Sequence, residues 1–463
     1  MAYKTTNPYT GEVVKEFDTA TDNEVKAALD KAHEAFKSWR DTSLEDRGKV
    51  LQKAADLIRD KKTDLAKIIT LEMGKVLPEA EAELDICIGM LEDYVNNGAK
   101  YLEPRTLESE KYGKGNCQLV YEPQGIIFIV EPWNFPAYQI VRVAAPQLMA
   151  GNVVVLKHAS IVPQSSQAFE DLFREAGLVE GGFTNLYLAH EQSELVISDP
   201  RVRGVALTGS EGAGAAIASL AGKYLKKSTL ELGGADAFIV LADADIDKTV
   251  EWAVFGRHWN AGQVCAASKR MIIVDEVYDE FVEKYREGVA KLRAGDPMDP
   301  QTQLSPLSSA EAKTKLLEQI EKAKAEGATA EELGDPVPEQ GFFVQPTILT
   351  GIKPGTYAYS HEYFGPVSQL YRVKDEAEAI ELANDSPFGL GGSVFTSDEE
   401  HGKEVARKLD TGMIFINHPT GVGADIPFGG VKNSGYGHEL IDLGIHEFVN
   451  AKLVVNAGID SEF

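Results

Sequence analysis

Cysteine is scarce. Three occur in 463 residues, Cys87, Cys117 and Cys265, too few and too scattered for a disulfide framework or a zinc site. Sparse, odd usage suits a reducing compartment in which one thiol is free to react. Long apolar runs are missing too: none approaches the roughly 18 residues that span a bilayer. The first seventeen residues lack a basic segment followed by an apolar one, so no secretory leader is expected and a cytoplasmic location is. Basic residues fall short of acidic ones, 46 against 72, for a net charge of −26. That field repels phosphate backbones and anionic lipid, which counts against nucleic-acid or membrane-surface partners. An anionic substrate would need a local basic group. Internal repeats and low-complexity linkers are absent. What is present is ordinary for a folded chain, 43% hydrophobic and 25% charged, with length for roughly three units of about 150 residues.

The first hundred residues read as helices. Thr21-x-x-Glu24 and Ser43-x-x-Asp46 are capping signatures, and Val25, Ala28, Leu29, Ala32 and Phe36 recur at helical spacing. From about residue 117 strands alternate with helices. Gly125–Val130, Asn152–Leu156 and Gly204–Leu207 are apolar enough to be buried on both faces, with helices over Gln164–Ala176 and Glu211–Lys227. A second set runs from Ala237–Leu241 through Met271–Val274, a helix over Tyr278–Leu292, and Gly412–Ile416. The order predicts two α/β domains with largely parallel sheets behind a helical N-terminal part. Ala310–Leu333, rich in Ala, Lys and Glu, reads as a solvated helix.

Several residues invite chemistry. Cys265 lies in Asn260-Ala-Gly-Gln-Val-Cys-Ala-Ala-Ser268, where a Gly-containing loop permits close approach and backbone N–H groups stabilise a thiolate or an oxyanion. From that window alone a buried, inert cysteine is the commoner outcome. Cys87, between two isoleucines, and Cys117 read as structural. Glu231, in Leu230-Glu-Leu-Gly-Gly234, is flanked by leucines, and desolvation would raise its pKa as a general base requires; an ion-paired structural carboxylate fits equally. Thr208-Gly-Ser-Glu-Gly-Ala-Gly214 follows a strand and opens a helix, a place for a dinucleotide phosphate, but its glycines miss the G-x-G-x-x-G spacing. Lys157 ends an apolar strand where open sheets place ligands. Glu131-Pro-Trp-Asn-Phe-Pro136 is a rigid turn that would fix the Asn134 amide.

Pro132-Trp-Asn-Phe-Pro136, Glu231-Leu-Gly-Gly234, Gly262-Gln-x-Cys265, Glu362-x-Phe-Gly-Pro366 and Pro427-Phe-Gly-Gly430 stand in the order seen in the aldehyde dehydrogenase superfamily, which the chain resembles over nearly its whole length. Asn7-Pro-x-Thr-Gly-Glu12 and Ser434-Gly-Tyr-Gly437 match as well. The resemblance implies two Rossmann-like α/β domains with open parallel sheets and a β-strand oligomerisation arm. It places a cofactor domain at 1–103 and 123–234, a catalytic domain at 235–430, and the arm at 104–122 and 448–463, joining a homodimer or homotetramer. It implies that Cys265 attacks an aldehyde carbon, that the Asn134 amide and the Cys265 backbone N–H hold the oxyanion, and that Glu231 activates the water that hydrolyses a thioester. Trp133, Lys157, Ser160, Gly209, Ser210, Gly214, Leu232, Glu362 and Phe364 fall on its cofactor positions, for NADP or NAD, and no metal is required.

Many NAD-preferring relatives carry a glutamate three residues after the lysine; here Ser160 stands there, which removes repulsion of a 2′-phosphate and favours NADP, with His158 nearby. The Lys157-His-Ala run and Arg142, eight residues after Asn134, look most like the bacterial succinate-semialdehyde dehydrogenases, in which an arginine there reaches the substrate carboxylate. A structural ion pair is the alternative for Arg142. A second arginine found in some of that group is replaced by Trp259, with Arg257 two residues earlier as a substitute. Two further readings stay open: a broad dehydrogenase for neutral aliphatic or aromatic aldehydes with Trp259 at an apolar entrance, and a non-catalytic binding or structural protein that keeps the fold.

Overall fold

A computed structural model describes residues 3–460; residues 1, 2 and 461–463, the ends of the expected cofactor domain and arm, lie outside the described residues. Helices fill the early chain as the caps require. Thr21 and Glu24 form a full capping box on Asp22–Trp39, which buries Val25, Leu29, Ala32 and Phe36, and Ser43 caps Leu44–Asp60 through the Asp46 N–H. Lys62–Met73 and Leu77–Tyr101 complete the group. One reading fails at the very start: Tyr3–Thr6 and Val13–Phe17 form an antiparallel hairpin ahead of the helices. Its turn is built by Asn7, whose Oδ1 accepts the Tyr9 N–H, and by Gly11 at φ +79°.

Two open sheets follow. The first runs in the order Gly435–Tyr436, Lys227–Glu231, Val202–Thr208, Ile126–Glu131, Val153–His158, Phe183–Asn185, and only its first pair is antiparallel. Val153–His158 is buried throughout, so its hydrophobic pattern is continuous rather than alternating. The second sheet has seven strands, ordered Thr329–Glu332, Thr347–Thr350, Val367–Val373, Ser268–Val274, Asp236–Val240, Gly392–Phe395, Phe415–Ile416. It too is parallel except at one edge. Val449–Val455, Cys117–Pro123 and Arg105–Leu107 make a separate antiparallel three-stranded sheet, with Leu453 and Val454 exposed on it. The architecture is thus two Rossmann-like α/β units plus a strand arm.

Two elements differ from expectation. The helix from Ala310 stops at Ala325, because Gly327 takes a left-handed turn (φ +99°) into the strand Thr329–Glu332. It is not simply solvated: Leu316, Gln319, Ile320 and Ala323 are buried. Gly412–Ile416 pairs on the sheet only at Phe415–Ile416, since the backbone at Gly412 lies against that of Gly429. No helix among the described residues is long and apolar enough to cross a membrane.

Candidate active site

The carboxyl ends of adjacent strands line up along the first sheet: Glu231, then Thr208 leading to Gly209 and Ser210, then Glu131 leading to Trp133 and Asn134, then His158 with Lys157 beside it. Open α/β sheets hold ligands at this edge. Cys265 reaches it from the loop before Ser268–Val274, and that loop is strained. Asn260, Ala261 and Gly262 all have positive φ (50°, 52° and 75°). Such geometry in non-glycine residues costs on the order of 1–3 kcal/mol each and persists only when neighbours enforce it. The enforcers are visible. Half-buried Glu79 accepts the Asn260 N–H, and the Asn260 amide donates to the carbonyls of Asn134 (3.0 Å) and Gln263 (3.2 Å).

Cys265 sits between two recesses. On one side a cleft of about 380 Å³ is lined by Trp133, Asn134, Gly209, Ser210, Leu232, Glu362 and Phe364. On the other lies a narrower, mostly apolar pocket walled by Phe135, Tyr138, Trp259, Val422 and Phe428, with Arg142 at its wall. Cys265 borders both. Asn134 is buried, and its Nδ2 donates to the Gln263 carbonyl at 3.1 Å, which ties the amide to the Cys265 loop. Burial pushes the Cys265 thiol up to about 12; Lys269 and then Arg142 oppose this, while Glu362 and Glu231 add to it. Cys87 and Cys117 are buried, the former in a helix and the latter in a strand, as expected.

Glu231 is buried and its carboxylate has no well-formed hydrogen bond. Desolvation, then the charge of Glu439, hold it well above the usual carboxylate range, while Arg142 pulls it down. It does not line the large cleft; its surroundings are Glu439, Arg142 and the Gly430 backbone. The glycines beside it are needed for space. A Cβ on Gly233 would lie 2.7 Å from Glu362 Oε2, and one on Gly234 would lie 2.5 Å from the Cys265 carbonyl.

Not every expected binding residue meets the cleft. Lys157, Ser160 and Gly214 are not among its lining residues. Lys157 is buried one strand over, without an ion pair among the described residues, and desolvation lowers its pKa. Gly214 instead lets the helix Glu211–Lys223 pack on Leu232, whose Cδ2 a Cβ would meet at 2.6 Å. Ser210 caps that helix through the Ala213 N–H. His158 is not positioned for a phosphate: Nε2 donates to the Pro136 carbonyl, Nδ1 accepts the Ala159 N–H, and burial lowers its pKa to about 4.

Both arginines are buried and already have partners. Arg257 is 0% exposed and its guanidinium is consumed by backbone carbonyls of Tyr363, Gly365 and Val367. It braces the loop that carries Glu362 and Phe364 and does not line the apolar pocket. Arg142 does border that pocket but is 1% exposed and paired with buried Glu439. It also donates to Thr208 Oγ1 at 3.0 Å and lies over the Tyr138 and Phe428 rings. Trp259 lines the apolar pocket, against Phe135 and stacked near Phe255.

Sequence reading missed Lys269, Glu439, Glu131, Lys315 and Gln319. Lys315 and Gln319 line the cleft from the helix read as solvated. Lys269 bonds the Val264 and Cys265 carbonyls and pairs with Glu362. A Lys-Arg pair opening the apolar strand Met271–Val274 was the available signal, since charges at a buried strand's start need partners.

Comparison with known proteins shows the family. Residues 1–454 match the model of the aldehyde dehydrogenase family. The NADP+ succinate-semialdehyde dehydrogenase of Deinococcus radiodurans is 47% identical, over 98% of this chain and 94% of that protein. The crystal structure of succinic semialdehyde dehydrogenase from Streptococcus pyogenes with NADP+ superposes with a TM-score of 0.96 at 47% identity, covering 99% of this chain and 100% of the other. A betaine aldehyde dehydrogenase from Staphylococcus aureus with NAD+ is similar at 31% identity and a TM-score of 0.94, covering 98% and 94%.

Proposed function

This chain belongs to the aldehyde dehydrogenase family, and we propose that it oxidises succinate semialdehyde to succinate with NADP, and with NAD less well. The observation that carries the reading is similarity at 42–47% identity along the full length to proteins named for that substrate and cofactor. The residues fit the cofactor. Cβ-free Gly233 leaves room for Glu362 at the cleft wall, Ser210 caps a helix whose N-terminus faces the cleft, and the Lys157 ammonium has no acidic partner among the described residues. Glu362 would take the ribose beside the nicotinamide, Trp133, Gly209, Leu232 and Phe364 would wall it in, and Lys157 with Ser160 would take the adenosine side.

The chain's own chemistry follows from the two recesses. Cys265, as thiolate, adds to the aldehyde carbon presented from the apolar pocket, and the carbonyl oxygen gains the negative charge. Asn134 Nδ2, held by the Gln263 carbonyl, donates to that oxygen. A bound nicotinamide supplies the acceptor for the hydride that leaves the carbon, which makes the adduct a thioester. Glu231 then takes a proton from water as the water attacks the acyl carbon, and the Cys265 sulfur departs with the acyl bond broken. Desolvation and the charge of Glu439 raise the pKa of Glu231, which makes its carboxylate a stronger base than one in water.

Arg142 remains our candidate for the substrate carboxylate, shared with Glu439 rather than free. The aromatic walls of the pocket favour a second reading, neutral aliphatic or aromatic aldehydes. The test compares kcat/KM for succinate semialdehyde and a neutral aldehyde of similar length, with NADP and NAD, in wild type and Arg142→Lys. Preference for the acid by tens-fold, lost in the variant, supports the clamp; equal rates on both aldehydes favour the second reading. We further propose a cytoplasmic homodimer or homotetramer assembled through the strand Val449–Val455 and its exposed Leu453 and Val454.

A further inference from the structure

We propose that Lys269 is a positioning residue whose ammonium ties the Glu362 carboxylate to the nucleophile loop, and that the sharing of its charge between them sets how readily Cys265 ionises. The inference rests on the reading of Cys265 as nucleophile and Glu362 as a cofactor-side carboxylate. Lys269 is 1% exposed. Its Nζ has three acceptors: the Val264 carbonyl at 2.7 Å, the Cys265 carbonyl at 2.5 Å, and Glu362 Oε1 at 2.8 Å. An ammonium has three donors, so none is left for a substrate, which makes its role positional. The same Glu362 Oε1 accepts the Gly234 N–H at 3.2 Å, so the tie also draws in the Leu-Gly-Gly segment.

The charges that face Cys265 come from four directions. Lys269 and Arg142 favour the thiolate, Glu362 and Glu231 oppose it, and the Tyr138 phenol stands near it uncharged, its pKa raised by burial. Of the cations, Lys269 alone holds the backbone of Cys265 itself. Its partner Glu362 neutralises part of that charge. A group that draws Glu362 away leaves the ammonium on the loop carbonyls, with its full field at the sulfur. Lysine and glutamate therefore act on the thiol with opposite signs through one contact, which a merely structural ion pair would not do.

The test is iodoacetamide alkylation of Cys265 in the enzyme without cofactor or aldehyde, followed by peptide mass spectrometry from about pH 6 to about pH 10. In Lys269→Met the rate at about pH 8 is expected to fall about tenfold, with the profile moved to higher pH, because one pKa unit is tenfold in thiolate. Lys269→Arg keeps the charge and should stay within about threefold of wild type, and Glu362→Gln should run about threefold faster. An unchanged Lys269→Met profile, an arginine variant as slow as methionine, or a Glu362→Gln enzyme no faster than wild type overturns the proposal. If Lys269→Met does not fold, Glu362→Gln decides alone. Failure of the functional reading is separable: a Cys265→Ala enzyme that still oxidises aldehyde would defeat that reading while the alkylation profiles stand.

Discussion

Two buried cations flank Cys265, and they are held in different ways. On the cofactor side Lys269 divides itself between one carboxylate and two carbonyls of the nucleophile loop. On the substrate side Arg142 is gripped by Glu439, Thr208 and two aromatic rings, with Glu231 and Glu131 close enough to feel its charge. The first arrangement has few partners and sits at a cleft; the second is a packed cluster of three carboxylates around one guanidinium. Lysine, a compact charge with rotatable donors, suits the first, and the planar fork of arginine suits the second. On the proposed reading, ligand response belongs with Lys269 and Glu362, and the carboxylates around Arg142 form a separate buried cluster.

The comparison breaks most visibly at the nucleophile between the two. Cys265→Ala should lose aldehyde oxidation by at least about ten-thousandfold in kcat, read as nicotinamide reduction. On the arginine side, Glu439→Leu leaves a buried guanidinium without its main partner. Denaturant unfolding should report a loss of about 3–5 kcal/mol, and a loss under about 1 kcal/mol would mean that Arg142 is not committed to this pair. The lysine side is probed by Gly233→Ala. Its Cβ would meet Glu362 Oε2 at 2.7 Å, so KM for NADP should rise about tenfold while unfolding changes little. An unchanged KM would move Glu362 out of the cofactor site.

The carboxylates around Arg142 also predict a pH dependence. Burial, then Glu439, hold Glu131 well above the usual carboxylate range. The folded state therefore binds its proton more tightly than the unfolded chain does. That stability is full below the unfolded value of about 4.3 and is lost as pH rises through the folded pKa. Glu131→Gln should remove this loss, so that the variant gains on wild type as pH rises above the unfolded value, by about 1.4 kcal/mol for each unit of the shift. Parallel pH–stability curves would show that Glu131 is not protonated in the folded enzyme.

Much of this was legible in the sequence. Runs such as Ile126–Val130 and Val153–Leu156 declare themselves because both faces are packed and no polar residue falls within them. The caps at Thr21 and Ser43 are local chemistry, visible wherever the residues fall at the right spacing. Trp133, Asn134, Gly209, Leu232, Cys265 and Glu362 meet because their motifs sit at strand ends that the topology collects. The partners of charged residues were not legible. Arg142 and Glu439 are far apart in sequence, as are Arg257 and the carbonyls after Tyr363, and only the fold shows that both guanidiniums are occupied. The hairpin of Tyr3–Thr6 and Val13–Phe17 was hidden by its brevity and by exposure of its second strand.

The most direct test is to catch the acyl group. Glu231→Gln enzyme mixed with NADP and succinate semialdehyde, quenched in acid and digested, should carry a succinyl mass on the peptide holding Cys265, formed in a rapid burst of nicotinamide reduction and hydrolysed slowly. No acyl mass on that peptide during a normal burst, or one on another residue, would contradict the assignment of Cys265 as nucleophile and Glu231 as the base that releases it.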